Sequence, residues 1–425
     1  MAALGIDFGT SGARAIALNT SGDILSQSRH SFAVGEVANP SAWRQALWAL
    51  LAGLDSAALA CVQRIAINGT SATALLCDRT LTPLTTALLY NDSTARSELP
   101  GLEEIAPAGS PTLSATSTLV KALWWYRTVS AEVRAAATHI VHQADWLAAQ
   151  LHGQPGVSDY HNALKIGYDV RSNTYPNWLL TLPIADWLPK VRTPGDIVAP
   201  ILPNIATQFG LPKTCQICAG TTDSIAAFLA STAHQPGDAV TSLGSTLVLK
   251  LLSAVPVDDA PSGVYSHRLG DLWLAGGASN TGGAVLRQYF SSEQLSALSA
   301  RIDPSIPCLL DYYPLTQPGE RFPINDPDYT PRVTPRPASD VEFLKGLLGA
   351  IARIECQGYK KLETLGAPSL KKVYTAGGGA QNSTWQTIRQ QQLGVAVAVA
   401  DQTEAAYGTA LLALRGLSQF TQKPR

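Results

Sequence analysis

Charge is scarce in this chain: of 425 residues only 15% are Asp, Glu, Lys or Arg, and 31 basic residues nearly cancel 32 acidic ones. No run of like charge occurs, so neither nucleic acid nor an anionic membrane surface is expected as a partner. Cysteine is sparse too. Cys61, Cys77, Cys215, Cys218, Cys308 and Cys356 lie scattered along a long chain, which excludes a disulfide framework and implies a reducing compartment. No apolar run approaches the ~18 residues of a membrane-spanning helix. Met1 is followed by only five small or apolar residues before Asp7, without a basic start or a cleavage site, so no secretory signal is read and a cytoplasmic protein is expected. The triplets Asn19-Thr20-Ser21, Asn68-Gly69-Thr70 and Asn382-Ser383-Thr384 then read as chance matches to a glycosylation acceptor. Neither the Walker pattern nor the Rossmann glycine fingerprint is found at the glycine turns described below, and the seven histidines lack metal-ligand spacing.

What the chain does have is length, apolar content and ordered turns. Hydrophobic residues make up 46%, and the length suits two large domains, each with its own core. Ala3 to Asp7 reads as a strand, Gly9 to Gly12 as a turn, and Ala13 to Leu18 as the returning strand. A third strand is expected near Ile24-Leu25, then a helix through Trp43, Leu47 and Leu51 capped by Ser41, then a strand at Arg64 to Ile67. A like pattern returns at Ala239 to Leu243, Gly244-Ser245-Thr246 and Leu247 to Leu251, which suggests two like-built α/β domains, over 1–232 and 233–425. Nine of the 27 prolines fall between Pro304 and Pro337, where an ordered surface excursion is expected. Ser339 and Glu342 form a capping-box pattern for a helix expected to run to about Gly358. Strands at Lys372 to Ala376 and Val395 to Val399 follow, the final helix opens at Thr403-Glu404, and it is expected to pack back on the first domain.

Four glycine-containing turns follow apolar strands: Gly9 to Gly12, Gly220 to Asp223, Gly244 to Thr246 and Gly377 to Gly379. Glycine lets backbone N–H groups approach a phosphate closely, and neighbouring hydroxyls add donors. Any one of them is ordinary as a turn; their joint order carries the information. Cys215-Gln216-Ile217-Cys218 has the spacing of half a zinc site, but no second pair lies near and the alternation fits a buried strand.

Asp7-Phe8-Gly9-Thr10-Ser11, Gly220-Thr221-Thr222-Asp223-Ser224, Gly244-Ser245-Thr246 and Ala376-Gly377-Gly378-Gly379-Ala380-Gln381-Asn382 together resemble the FGGY carbohydrate kinases over essentially the whole chain. Thr118 to Trp124 approximates that family's first signature. Within the family, Asn68-Gly69-Thr70-Ser71 and Ser158 to Ala163 resemble the D-ribulose kinases of cyanobacteria and plant plastids. The resemblance implies a two-domain, actin-like (ribonuclease-H-like) ATPase fold hinged around a central cleft, with ATP and Mg²⁺ as cofactors and a small sugar as substrate. It places Asp223 as catalytic base and Asp7 as holder of Mg²⁺ near the transferred phosphate. Thr10, Ser11, Gly12, Ala13 and Arg14 would serve the first phosphate turn, Gly244, Ser245 and Thr246 the second, and Gly378, Gly379 and Asn382 the adenosine loop. Ser71 with Asp7 and Asp223 would face the sugar, while Asp92, Arg96, His161 and Trp385 stay unassigned. The implied reaction is phosphorylation of a ketopentose, D-ribulose first, in a monomer or homodimer. The rival readings are a D-xylulose or L-ribulose kinase and an ATP-switched actin-like protein without enzymatic activity.

Overall fold

The structure, a computed structural model, describes residues 1–33 and 35–420. The last residues of the expected second domain, 421–425, lie outside the described residues. The chain divides into two compact units, one formed by Met1–Ala230 with the segment that begins at Glu404, the other by Ser231–Thr403. Among the described residues no helix is long and apolar enough to cross a membrane.

The first unit is built on a seven-stranded mixed sheet. Its first strand, Ala2–Phe8, pairs antiparallel with Gly12–Asn19 and parallel with Val62–Gly69, because a tight turn can reverse the chain at once whereas a parallel partner needs the intervening helix. That helix, Pro40–Ala52, buries Trp43, Leu47, Leu50 and Leu51. Its cap is Asn39, which accepts from the Ser41 N–H, in place of the expected Ser41; Pro40 at the first turn needs no N–H partner and moves the start one residue earlier. The third strand runs well past Ile24-Leu25, over Ile24–Ser31. It is an edge strand with polar, largely exposed side chains, so its far half has no apolar alternation to announce it.

Helix Ala405–Arg415 packs on this sheet and on helix Asp223–Ala230 at van der Waals contact of backbones, which two glycines permit. A Cβ on Gly5 would stand 2.1 Å from the Ala406 carbonyl oxygen, and one on Gly408 1.8 Å from that of Ala226. Gly408→Ala is therefore expected to cost on the order of 3 kcal/mol or more, since backbone must move to admit the methyl. A urea melt of that variant superposing on wild type would refute this packing.

The second unit repeats the plan in a six-stranded sheet: Asp238–Leu243 pairs antiparallel with Leu247–Ser253 and parallel with Lys372–Ala376, beside which lies Ala396–Val399. Segment 304–337 contains no helix or strand; it is tied down by Glu320, a buried carboxylate that accepts from Ser279 Oγ, the Asn280 N–H and Tyr313 OH. Helix Asp340–Thr364 starts at the Ser339 cap but passes Gly358. Gly358 is a packing site and no stop signal: a Cβ there would lie 2.4 Å from Leu249 Cδ1 and 2.8 Å from Phe322 Cε1. A wholly buried ion pair, Glu355 with Arg389 at 2.6 Å, and the Arg389 bond to Thr375 Oγ1 tie this helix to helix Ser383–Leu393 and to the strand that leads into Gly377.

Candidate active site

Register gathers the first unit's candidates at one end of its sheet. Asp7 stands opposite Asn68 on the neighbouring strand, and Asn68 stands opposite Thr221; in the next row Phe8, Gly69 and Thr222 align. The residue after Thr222 is Asp223, and two beyond Gly69 is Ser71, so three segments far apart in sequence end side by side. The carboxyl ends of strands in an open α/β sheet are where ligands ordinarily bind. Gly220 makes the approach possible: a Cβ there would be 2.0 Å from the Ile67 carbonyl oxygen.

Asp223 is the first residue of helix Asp223–Ala230, half-buried, with Oδ1 accepting the Ser224 N–H at 2.7 Å. Asp7 is buried, and its carboxyl is pushed up to about 7, first by burial and then by the negative charge of Asp223, partly offset by Arg14. The effect of Asp223 on Asp7 puts the two carboxyls within electrostatic reach of each other. Arg14 Nη1 is ion-paired with Glu404 at 2.9 Å, so its guanidinium is already engaged. Thr10 and Ser11 are exposed at the tip of the hairpin, which the Gly9 N–H closes on the Gly12 carbonyl at 3.0 Å. Ala13 is buried within its strand, and a Cβ on Gly12 would press on the His30 carbonyl at 2.3 Å, so glycine at 12 is required by the edge strand as well. Asp92 Oδ1 accepts the Thr94 N–H at 2.8 Å, and Arg96 is exposed.

Several buried polar residues beside these had no role assigned from the sequence, although Asp159, His161 and Asn162 lie in the Ser158 to Ala163 segment and Lys121 in the Thr118 to Trp124 signature. Asn162 Nδ2 donates to Asp159 Oδ2 at 2.6 Å and to the Thr221 carbonyl at 3.3 Å, and His161 Nδ1 lies 2.7 Å from Thr221 Oγ1. Burial and the charge of Asp145 push Asp159 up to about 6. Lys121 and Gln143 bracket the turn that carries Ser71. The sequence signal for Asp159, His161, Asn162 and Lys121 was their place in those two family-like segments, whereas Gln143 carried none.

In the second unit Gly244, Ser245, Gly378, Gly379 and Asn382 line one cavity of about 540 Å³, a size ordinary for a small-molecule site. Thr246 is not part of its wall. Trp385 lines it yet is buried, its indole N–H donating to the Leu348 carbonyl at 3.1 Å, so it is wall and core at once. Asn382 caps the following helix by accepting the Trp385 N–H and donates to Ser299 Oγ at 2.8 Å. The left-handed φ of 84° at Gly377 and the 2.7 Å from a Cβ on Gly379 to Leu243 explain two of the three consecutive glycines; a Cβ on Gly378 would meet nothing. Arg287, unmarked in the sequence, also lines the cavity and donates to Ser245 Oγ at 2.8 Å, which supplies positive charge beside the turn.

Residues 2–230 match the N-terminal domain of the FGGY family of carbohydrate kinases, and residues 239–417 match its C-terminal domain. The chain belongs to the FGGY family of ATP-dependent carbohydrate kinases. It is 24% identical over 412 residues to the xylulose kinase of Escherichia coli, across 91% of this chain and 83% of that one. It is 23% identical to the gluconokinase of Bacillus subtilis across 71% of this chain, a match that spans 62% of the gluconokinase's length. The crystal structure of xylulose kinase from Rhodospirillum rubrum superposes with a TM-score of 0.84 at 21% identity, covering 99% of this chain and 92% of the other. Each unit thus carries the sheet of the actin-like, ribonuclease-H-like ATPase fold.

Proposed function

We propose that the chain phosphorylates a ketopentose with ATP, converting D-ribulose to D-ribulose 5-phosphate, with Asp223 as general base. The observation that carries this reading is the alignment of Asp7, Asp223 and the Ser71 turn at adjacent strand ends. A switch protein that only hydrolyses ATP has no use for a carboxylate aimed at a second substrate.

Phosphoryl transfer asks for little covalent chemistry from the protein and much positioning and charge compensation. In this reading the Asp223 carboxylate takes the proton of the attacking sugar hydroxyl as its oxygen bonds to the γ-phosphorus and ADP leaves. The exposed Thr10 and Ser11 hydroxyls and the hairpin N–H groups hold phosphate oxygens. Asp7 suits Mg²⁺: its carboxylate is a hard oxygen donor beside a second carboxylate, and the neighbouring Asn68 Oδ1 is buried without a hydrogen-bond partner. Among the described residues no three His, Cys, Asp or Glu side chains cluster. Magnesium needs no such cage, since it keeps several waters and takes one or two carboxylates together with substrate phosphates. When bound it neutralises charge on the phosphates. The cavity around Gly378 and Asn382 would take the nucleoside.

For the sugar, Gly69-Thr70-Ser71-Ala72 stands where many xylulose kinases carry Gln-Met-His-Gly, which changes both the space and the donors that meet a ketose. A site that hydrogen-bonds a substrate hydroxyl discriminates strongly against an analogue that leaves those groups unpaired. The expected result is a kcat/KM for D-ribulose well above that for D-xylulose, D-gluconate or L-ribulose in an ADP-release assay. Ser71→Ala should lower the D-ribulose value about tenfold or more with little change in the KM for ATP. A wild-type preference for D-xylulose would overturn the substrate, and an unchanged D-ribulose value in the variant would remove Ser71 from the site.

A further inference from the structure

The turn carrying Ser71 is fixed from two sides by buried side chains that the reaction itself does not use. Strand Val62–Gly69 ends in Thr70 to Thr73, and within that turn Ala72 has a left-handed φ of 65°. A residue with a Cβ holds that conformation only when its surroundings over-determine it. Here they do. Lys121, wholly buried on helix Thr118–Thr128, donates from Nζ to the Ala72 carbonyl at 2.7 Å and to the Leu89 carbonyl at 2.7 Å. From the other side Gln143 Oε1 accepts the Thr70 N–H at 3.2 Å and the Thr70 hydroxyl at 3.3 Å, while the Gln143 N–H donates to the Thr73 carbonyl at 3.0 Å. The Thr70 and Thr73 hydroxyls are 2.6 Å apart, and the latter accepts the Tyr90 N–H at 2.9 Å. Ser71 differs from its neighbours: half-buried, its hydroxyl makes no hydrogen bond with the described residues.

An ammonium buried this deeply is expensive; burial alone pulls Lys121 down to about 8 despite the nearby negative charge of Asp92. A core position that needed only bulk is better served by an apolar side chain. What the ammonium adds is a tie between two backbone segments, one adjoining Ser71 and the other leading into Tyr90-Asn91-Asp92.

We propose that Lys121 and Gln143 are positioning residues for the sugar end of the site: by clamping the Thr70–Thr73 turn they aim the Ser71 hydroxyl and thereby set ketose selectivity. The inference rests on Ser71 facing the sugar.

The test uses the full chain with Lys121→Met, Gln143→Met and Ser71→Ala, alone and with Ser71→Ala combined with each clamp variant. Each clamp variant is expected to raise the KM for D-ribulose about tenfold or more, to shrink the D-ribulose over D-xylulose ratio by a similar factor, and to leave the KM for ATP within about threefold. In the combined variants Ser71→Ala should have much less effect than it has alone, because a hydroxyl that is no longer aimed has little left to lose. A merely structural role predicts a lower melting temperature with sugar selectivity intact, and that result overturns the proposal. So does full multiplicativity of the clamp and Ser71 effects. Should Lys121→Met fail to fold, Gln143→Met gives the same readouts. An inert Ser71→Ala overturns the proposal as well, because the hydroxyl that the clamp aims would then make no contact with the sugar; the wild-type preference among the ketoses tests the kinase reading separately.

Discussion

Asp223→Asn should abolish phosphoryl transfer to the sugar, by about 10² to 10⁴ in kcat, and leave ATP binding nearly unchanged. The residue begins helix Asp223–Ala230, whose apolar face is packed by Ile225, Ala226, Phe228 and Leu229, so its backbone is held by burial and not by its own charge. Asparagine keeps the side-chain oxygen that accepts the Ser224 N–H, which preserves the start of the helix. What it loses is the ability to take a proton. It also loses a negative charge beside Asp7, so the Asp7 carboxyl should titrate lower in this variant. Equilibrium binding of a nucleotide analogue, together with single-turnover transfer, separates the two effects. Turnover within threefold of wild type in a folded variant would take Asp223 out of the chemistry.

The parts of this site that the sequence made legible are those written in local pattern. A strand followed by glycine and hydroxyl residues recurs at Asp7-Phe8-Gly9-Thr10-Ser11 and again at Ser242 to Thr246, and both are hairpins in like-built sheets. Contacts made across long stretches of chain left no such mark. Arg14 and Glu404, 390 residues apart, each look like ordinary surface charges until the final helix is laid against the first sheet. Gly5 and Gly408 read as weak points of a strand and a helix, because the neighbour that requires their missing side chains comes from elsewhere in the chain. Lys121 was visible as part of a family-like signature, but its burial and its two carbonyl acceptors depend on how the Ala72 and Leu89 segments fold around it. The Asn39 cap was missed for a local reason, since Pro40 shifts the helix start by one residue.

Asp7→Asn should produce an enzyme that is inactive but more stable above neutral pH, a combination that separates its chemical role from its structural one. In the folded protein the Asp7 carboxyl is raised from 3.8 to about 7, whereas in the unfolded chain it reverts to an ordinary value. The folded state therefore holds this proton more tightly, and stability linked to it is fully present below about pH 4 and lost as pH rises through 7. At about 1.4 kcal/mol per pKa unit, the difference corresponds to a destabilisation approaching 4 kcal/mol at pH 8. Asparagine has nearly the same shape and never ionises. Its melting temperature should exceed that of wild type by roughly 5–10 °C at pH 8 and converge with it toward pH 4. On the proposed reading the ionised Asp7 carboxylate holds a divalent cation, so Mg²⁺ with an ATP analogue should stabilise wild type more than the variant. Sugar phosphorylation should fall by about 10² or more in the variant, and in wild type the apparent affinity for Mg²⁺ with ATP should weaken as pH drops below 7 and a proton competes for Asp7. Melting curves recorded from pH 4 to 8, with and without Mg²⁺ and the analogue, decide the matter. A difference in melting temperature that does not change with pH would show that Asp7 is not held against ionisation, and equal stabilisation of both proteins by the metal and nucleotide would remove it from the cation site.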